Sequence, residues 1–222
     1  MILSNILYRT YFIKAEQYGT AFALDVDGVE YVVTARHLLD ASKNGFLLKL
    51  FLKEQWHDLP AIVVGHGRGE IDISVLKIPI ALAGPTVPVN PTVAELILGQ
   101  DMYFLGFPYK MWSDGCGIMG GRPIAFAKKG TASSIGFGDP QVIHVDAINN
   151  EGFSGGPLFF YPAGKPTEVR VAGVVSKYRI ENEIVVDGKG NRTDMSVPYN
   201  TGFLIAYGIK HAIDIIKRSV ST

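Results

Sequence analysis

The chain has 222 residues, 47% of them apolar and only 19% charged. That charged share lies below the roughly 25% of average domains, so disorder is excluded over most of the length. Lys and Arg total 21 and Asp and Glu total 21, which removes any overall electrostatic drive toward nucleic acid or an anionic membrane. The single cysteine, Cys116, excludes an internal disulfide framework and a Cys-based zinc site. Residues 1–10 lack a basic start, and Asn5 and Arg9 interrupt any apolar run, so no secretory signal is read. No apolar run is long enough to span a bilayer, and the expected address is cytoplasmic.

In chain order, the first elements are short strands. Residues 20–26 and 29–34 are β-rich runs joined by Asp27-Gly28, a strong hairpin signal because a type I′ turn needs positive φ at both central residues. Residues 46–52, 61–64 and 71–78 follow as strands. Pro79, Pro85, Pro88 and Pro91, with Gly84 among them, then predict a linker. Strands resume at 102–107, 123–127, 141–145, 157–161 and 169–176. Residues 184–186 and Asp187-Gly188 read as a hairpin arm and its turn. Only the end is helical: Ile205, Ile209, Ala212, Ile213, Ile216 and Val220 recur at three- and four-residue steps, with Lys210, Asp214, Lys217 and Arg218 on the other face. The expected organisation is a strand group over 1–82, a linker over 83–96, a second strand group over 97–204 and a helix over 205–218. Strands this short at this spacing argue for barrels or a sandwich.

Three segments could do chemistry. Val33-Thr34-Ala35-Arg36-His37 sets a histidine at a strand end. Ile71-Asp72-Ile73-Ser74-Val75-Leu76 sets a carboxylate among apolar residues. Asn150-Glu151-Gly152-Phe153-Ser154-Gly155-Gly156-Pro157 sets a serine in a glycine-dense turn. Alone, His37 reads more simply as a half-buried strand-end residue and Asp72 as a turn residue. The serine segment is harder to dismiss. Three glycines weaken any regular element, and a chain accepts that where backbone must approach something closely. A nucleophile needs a sharp turn, and an oxyanion needs nearby backbone N–H groups.

Taken together, these segments resemble the trypsin-like (chymotrypsin-fold) serine peptidases. Gly152-Phe153-Ser154-Gly155-Gly156-Pro157 is similar to the family's Gly-x-Ser-Gly-Gly-Pro, Thr34-Ala35-Arg36-His37 to its Thr-Ala-x-His, and Asp72-Ile73-Ser74-Val75-Leu76 to its Asp-led strand. The order His, Asp, Ser is also the family's. The absence of disulfides and the final helix look like the bacterial, HtrA-type peptidase domains without a PDZ domain. The resemblance implies an all-β fold of two six-stranded antiparallel β-barrels with a C-terminal helix. It implies an endopeptidase acting through an acyl-enzyme, with Ser154 as nucleophile, His37 as base and Asp72 orienting it, and no cofactor or metal. Gly152 and Ser154 N–H groups would form the oxyanion hole. Ser176, Lys177 and Tyr178 resemble the strand that pairs with substrate backbone.

Departures sharpen the expectation. Phe153 stands where zymogen-type members carry an Asp, so activation by N-terminal cleavage is not expected. Ile148 stands at the position resembling the base of the specificity pocket, which predicts an apolar residue before the cleaved bond. The partner is expected to be a protein or peptide substrate, with a regulatory partner or oligomer as a possible gate. The alternative is a gated or inactive peptide-binding module on the same fold. Gly115-Cys116-Gly117-Ile118-Met119-Gly120 matches a dinucleotide fingerprint but lacks the flanking strand and helix, and reads as a loop. His57, His66, Asp58 and Glu70 have no tight ligand spacing. Lys128-Lys129 reads as a solvated turn, and His144 as a residue lining the second barrel.

Overall fold

The computed structural model describes residues 2–83, 89–114 and 119–220. Cys116, the fingerprint residues 115–118 and the linker residues 84–88 lie outside the described residues. A short helix α1 (Ser4–Tyr8) leads into six strands: β1 (Thr10–Lys14), β2 (Tyr18–Val26), β3 (Val29–Thr34), β4 (Gly45–Leu52), β5 (Gln55–His66) and β6 (Ser74–Lys77). They close into an antiparallel barrel in the order β1-β2-β3-β6-β5-β4. Then come β7 (Asn90–Pro91), β8 (Asp101–Gly106), β9 (Phe126–Ile135), β10 (Val142–Asp146), β11 (Pro157–Phe160), β12 (Arg170–Val186), β13 (Arg192–Gly208) and the helix α2 (Lys210–Val220). These form a seven-stranded sheet, β11-β8-β9-β10-β13-β12-β7, and an added β11–β12 pairing joins six of its strands into a ring. The fold is chymotrypsin-like.

Alternation explains the layering. In β1 to β3, Tyr11, Ile13, Ala21, Ala23 and Val32 fill the first barrel. Their sequence neighbours Phe12, Phe22, Leu24 and Val33 point the other way, into a core shared with Leu105, Phe107, Phe159, Val174 and Ile215. Both faces are therefore dry, and these strands read as continuous apolar runs. Met102, Phe104, Ile143, Val145, Leu158 and Leu204 fill the second barrel.

Several expected elements move. β1 lies outside the strands expected from the sequence, the first of which begins at residue 20. β9 starts at Phe126, so Lys128 and Lys129 lie in a strand and not in a turn. His144 sits between buried Ile143 and Val145 on a strand of buried–exposed alternation, so it faces away from the barrel interior. Ile205 belongs to β13 and the helix starts at Lys210. There the residues Leu204 and Ala206 are fully buried, a strand's two-residue rhythm that an Ile205–Ile209 spacing imitates as helical. The hairpin at Asp27-Gly28 has both residues at positive φ, 51° and 79°. The expected two-residue turn at Asp187-Gly188 is instead a five-residue loop, closed by Asp187 N–H on Asn191 O at 2.8 Å.

No described helix is long and apolar enough to cross a membrane.

Candidate active site

β3 ends in a 3-10 turn, Arg36–Leu38, that carries His37 to the seam between the two sheets. Arg36 donates to the Gly67 and Gly69 carbonyls at 2.6 and 2.8 Å, which fastens the loop leading to Asp72. Asp72 then accepts three bonds: His37 N–H at 2.9 Å, His37 Nδ1 at 2.6 Å and the Ser176 hydroxyl at 2.6 Å. Burial raises the Asp72 pKa. The bonds from the His37 ring and Ser176, with the His37 charge, outweigh it and hold the carboxyl below its ordinary 3.8. An ionised Asp72 on Nδ1 selects the tautomer with a proton there, so Nε2 is left to accept.

The serine turn is built from backbone. Gly152 and Gly155 take positive φ, 98° and 83°. A Cβ on Gly155 would lie 2.0 Å from the Thr20 carbonyl, and one on Gly152 would lie 2.2 Å from the Phe107 carbonyl. Only glycine permits both the conformation and the approach. Phe153 is fully buried and meets Phe104 edge-on in the second core, centroids 5.0 Å apart. It anchors the turn by packing.

Thr20, in the first barrel, grips the turn from across the seam. Its N–H donates to the Ser154 carbonyl at 2.9 Å and its hydroxyl to the Gly152 carbonyl at 2.7 Å. Tyr109 N–H holds the Glu151 carbonyl at 3.0 Å. In a trans peptide the following N–H points the opposite way, so Gly152 N–H is turned from Tyr109. Among the described residues, Gly152 N–H and Ser154 N–H have no acceptor. From below, the Lys128 ammonium donates to the Ile148 carbonyl at 2.7 Å and to Asn150 Oδ1, and lies 5.3 Å from the Phe153 ring centroid. Burial lowers the Lys128 pKa.

One cleft of about 870 Å³ gathers His37, Asp72, Ser154, Ser176, Lys177 and Tyr178. Ile148 is outside it: its side chain is 59% exposed, and its carbonyl is taken by Lys128. The expectation of an Ile148 pocket base is corrected on that point, because the Lys128 bond fixes the main chain and leaves the side chain outward. The Ser154 hydroxyl donates to the Ser176 carbonyl at 2.9 Å, and not to the His37 ring. Of the other titratable candidates, His57 contacts the Leu52 carbonyl and His66 the Ser74 hydroxyl, so each is engaged within the first barrel. Among the described residues no group of His, Cys, Asp and Glu is placed to hold a metal ion.

Thr20, Arg36, Tyr109 and Lys128 escaped sequence reasoning. Their roles are contacts across the fold, and nothing local in the sequence marks them.

The family model for the trypsin-like peptidase domain matches residues 19–167. The chain belongs to this family. All three segments singled out above lie inside the match. No curated protein sequence matches the domain. Solved structures do. The Rv3671c protease of M. tuberculosis, in an inactive form, is 19% identical with a TM-score of 0.60, over 97% of this chain and 90% of that one. A serine endoprotease from Yersinia pestis is 15% identical with a TM-score of 0.60, over 98% of this chain and 65% of that one. An HtrA-type protease, AlgW, solved with a tripeptide, is 18% identical with a TM-score of 0.59, over 96% of this chain and 60% of that one. The domain thus spans less than two-thirds of the length of the latter two. At these identities the likeness is one of fold.

Proposed function

We propose that the trypsin-like domain is a serine endopeptidase acting through Ser154, His37 and Asp72. The observation that carries the reading is the Asp72 carboxylate held by both His37 and Ser176 at 2.6 Å, in the cleft that also contains Ser154. In the reaction, Ser154 Oγ attacks the peptide carbonyl and His37 Nε2 takes its proton. Gly152 and Ser154 N–H groups stabilise the oxyanion, each worth about 3 kcal/mol of barrier. His37 then protonates the leaving amine, and water releases the acyl group by the same steps in reverse. Asp72 keeps the imidazolium favourable.

Before attack the Ser154 hydroxyl leaves the Ser176 carbonyl for His37 Nε2. That contact gives the gated form of the reading its footing: a resting site whose hydroxyl is drawn to its own substrate strand. Phe153 holds the turn by core packing, so the site does not depend on a freed N-terminal ammonium. An apolar residue before the cleaved bond remains the proposed preference, resting on Tyr178, which lines the same cleft as Ser154.

A fluorophosphonate probe tests the reading. Wild type is expected to label and Ser154→Ala to resist, with unchanged circular dichroism. Failure of the folded wild type to label, with or without peptide present, sinks the enzymatic reading and leaves a peptide-binding module. A cleavage profile dominated by Lys or Arg before the bond would refute the apolar preference.

A further inference from the structure

The loop that leads into the serine turn is fastened carbonyl by carbonyl. The Ile148 carbonyl accepts from the Lys128 ammonium at 2.7 Å and the Asn149 carbonyl from the Asn200 side-chain amide at 2.7 Å. The Asn150 carbonyl accepts from Phe153 N–H at 3.3 Å, the Glu151 carbonyl from Tyr109 N–H at 3.0 Å, and the Gly152 carbonyl from the Thr20 hydroxyl at 2.7 Å. Of these donors only Lys128 carries a charge.

That charge is costly to keep there. Lys128 is half-buried on β9, and its ammonium meets only neutral groups: the Ile148 carbonyl, Asn150 Oδ1 and the Phe153 ring, 5.3 Å to the centroid. Removing a cation from water without a counter-ion is unfavourable. Its neighbour Lys129 faces the other side of the strand and pairs with Asp101 at 2.8 Å. All three Lys128 contacts belong to one short segment, residues 148–153. An ammonium can only donate, so it draws Asn150 Oδ1 to itself and leaves the amide nitrogen to donate to the Tyr109 hydroxyl at 3.0 Å. Tyr109 and Lys110 stand at φ 51° and 64°, a left-handed backbone that is strained in non-glycine residues and persists where the surroundings hold it. Tyr109 N–H in turn holds the Glu151 carbonyl, on the peptide group whose opposite side is the Gly152 N–H. A continuous path of bonds leads from Lys128 through Asn150 and Tyr109 to that N–H.

We propose that Lys128 is a positioning residue whose charge sets the Asn150 amide and, through Tyr109, aims the Gly152 N–H at the developing oxyanion. The proposal rests on the peptidase reading and extends it. Lys128 does not line the cleft. Its effect falls on the transition state, where charge gathers on one oxygen and a misdirected donor is least tolerated, and not on binding of the substrate.

Hydrolysis of a fluorogenic peptide with an apolar residue before the bond tests it. Lys128→Met is expected to lower kcat by on the order of a hundredfold while KM moves less than about threefold. Lys128→Arg keeps the charge and the donors and is expected to restore most of the loss. Lys129→Met removes the same charge from the adjacent position and is expected to leave kcat unchanged. The rate of fluorophosphonate labelling should fall with kcat. Asn150→Leu removes the relay and is expected to reproduce the loss; it decides the matter if Lys128→Met does not fold. An unchanged kcat, or a loss that KM shares and arginine does not restore, overturns the proposal and leaves the peptidase reading intact. If wild type neither labels nor cleaves, the peptidase reading fails, and amide hydrogen exchange over residues 148–154 decides the role of Lys128. Faster exchange in Lys128→Met than in Lys129→Met supports the hold on the loop, and equal exchange overturns it.

Discussion

At the scale of single residues, the site depends on groups that touch no substrate. Thr20 is the clearest. It is fully buried, and its N–H and hydroxyl hold the two carbonyls on either side of Phe153. Thr20→Val keeps the shape and leaves the Gly152 carbonyl only the longer 3.4 Å bond from Phe107 N–H. The expected outcome is a loss of about 1 kcal/mol in urea denaturation, because a short buried hydrogen bond is removed while a longer one remains. A drop in kcat larger than any rise in KM should accompany it, since the Gly152 N–H loses its aim, and Thr20→Ser should restore most of both. Unchanged kcat in the valine variant would show that the turn holds its shape without the latch. Gly152, Phe153, Ser154 and Gly155 were legible in the sequence because backbone geometry confined to glycine leaves a local signature. Thr20 was not, because its partners lie more than 130 residues away.

At the scale of elements, α2 is the case to test. It packs Ala212, Ile215 and Ile216 against the core shared by both sheets. His211 on the same helix is buried, and its Nε2 accepts the Gln141 N–H at 2.9 Å. An accepting nitrogen carries no proton. Burial, assisted by the Lys210 charge, lowers the His211 pKa below its ordinary 6.5. In the unfolded chain the ring protonates near 6.5, while in the fold it resists. The unfolded state therefore binds more protons, and stability falls as pH drops below about 6.5 until the folded ring also titrates. Wild type is expected to lose melting temperature between neutral and mildly acidic pH, and His211→Gln to lose less over that interval. Parallel curves would refute the assignment. The sequence stripe located this helix, but its start was read early. A strand of alternating burial and a helix both place Ile205 and Ile209 on one side, and only the β13 pairing with β10 separates them.

At the scale of the whole molecule, the two sheets are joined by one dry seam. Phe12 of the first barrel stacks on Phe107 of the second at 4.8 Å between centroids and meets Trp56 edge-on at 4.9 Å. It is 2% exposed. Phe12→Ala is expected to cost about 3–5 kcal/mol in denaturation, as for other buried aromatics, because the cavity opens in a packed layer. The same variant should lower kcat, since Phe12 pairs with Thr20 across β1 and β2, and Thr20 grips the serine turn. Full activity at reduced stability would mean that the seam holds the fold together without setting the geometry of the site.

By itself, the sequence determined the strand-rich class, the position of the serine turn and the three segments whose side chains converge, because turns, glycine and apolar runs act over a few residues. Only the tertiary structure decided which strands close the rings, that Lys128 lies beneath the serine turn, that Ile148 turns outward, and that β12 runs on past the cleft as a long hairpin with β13. Those outcomes rest on pairings between segments tens of residues apart. Their energies come from burying two faces against each other, and local sequence does not encode the partner.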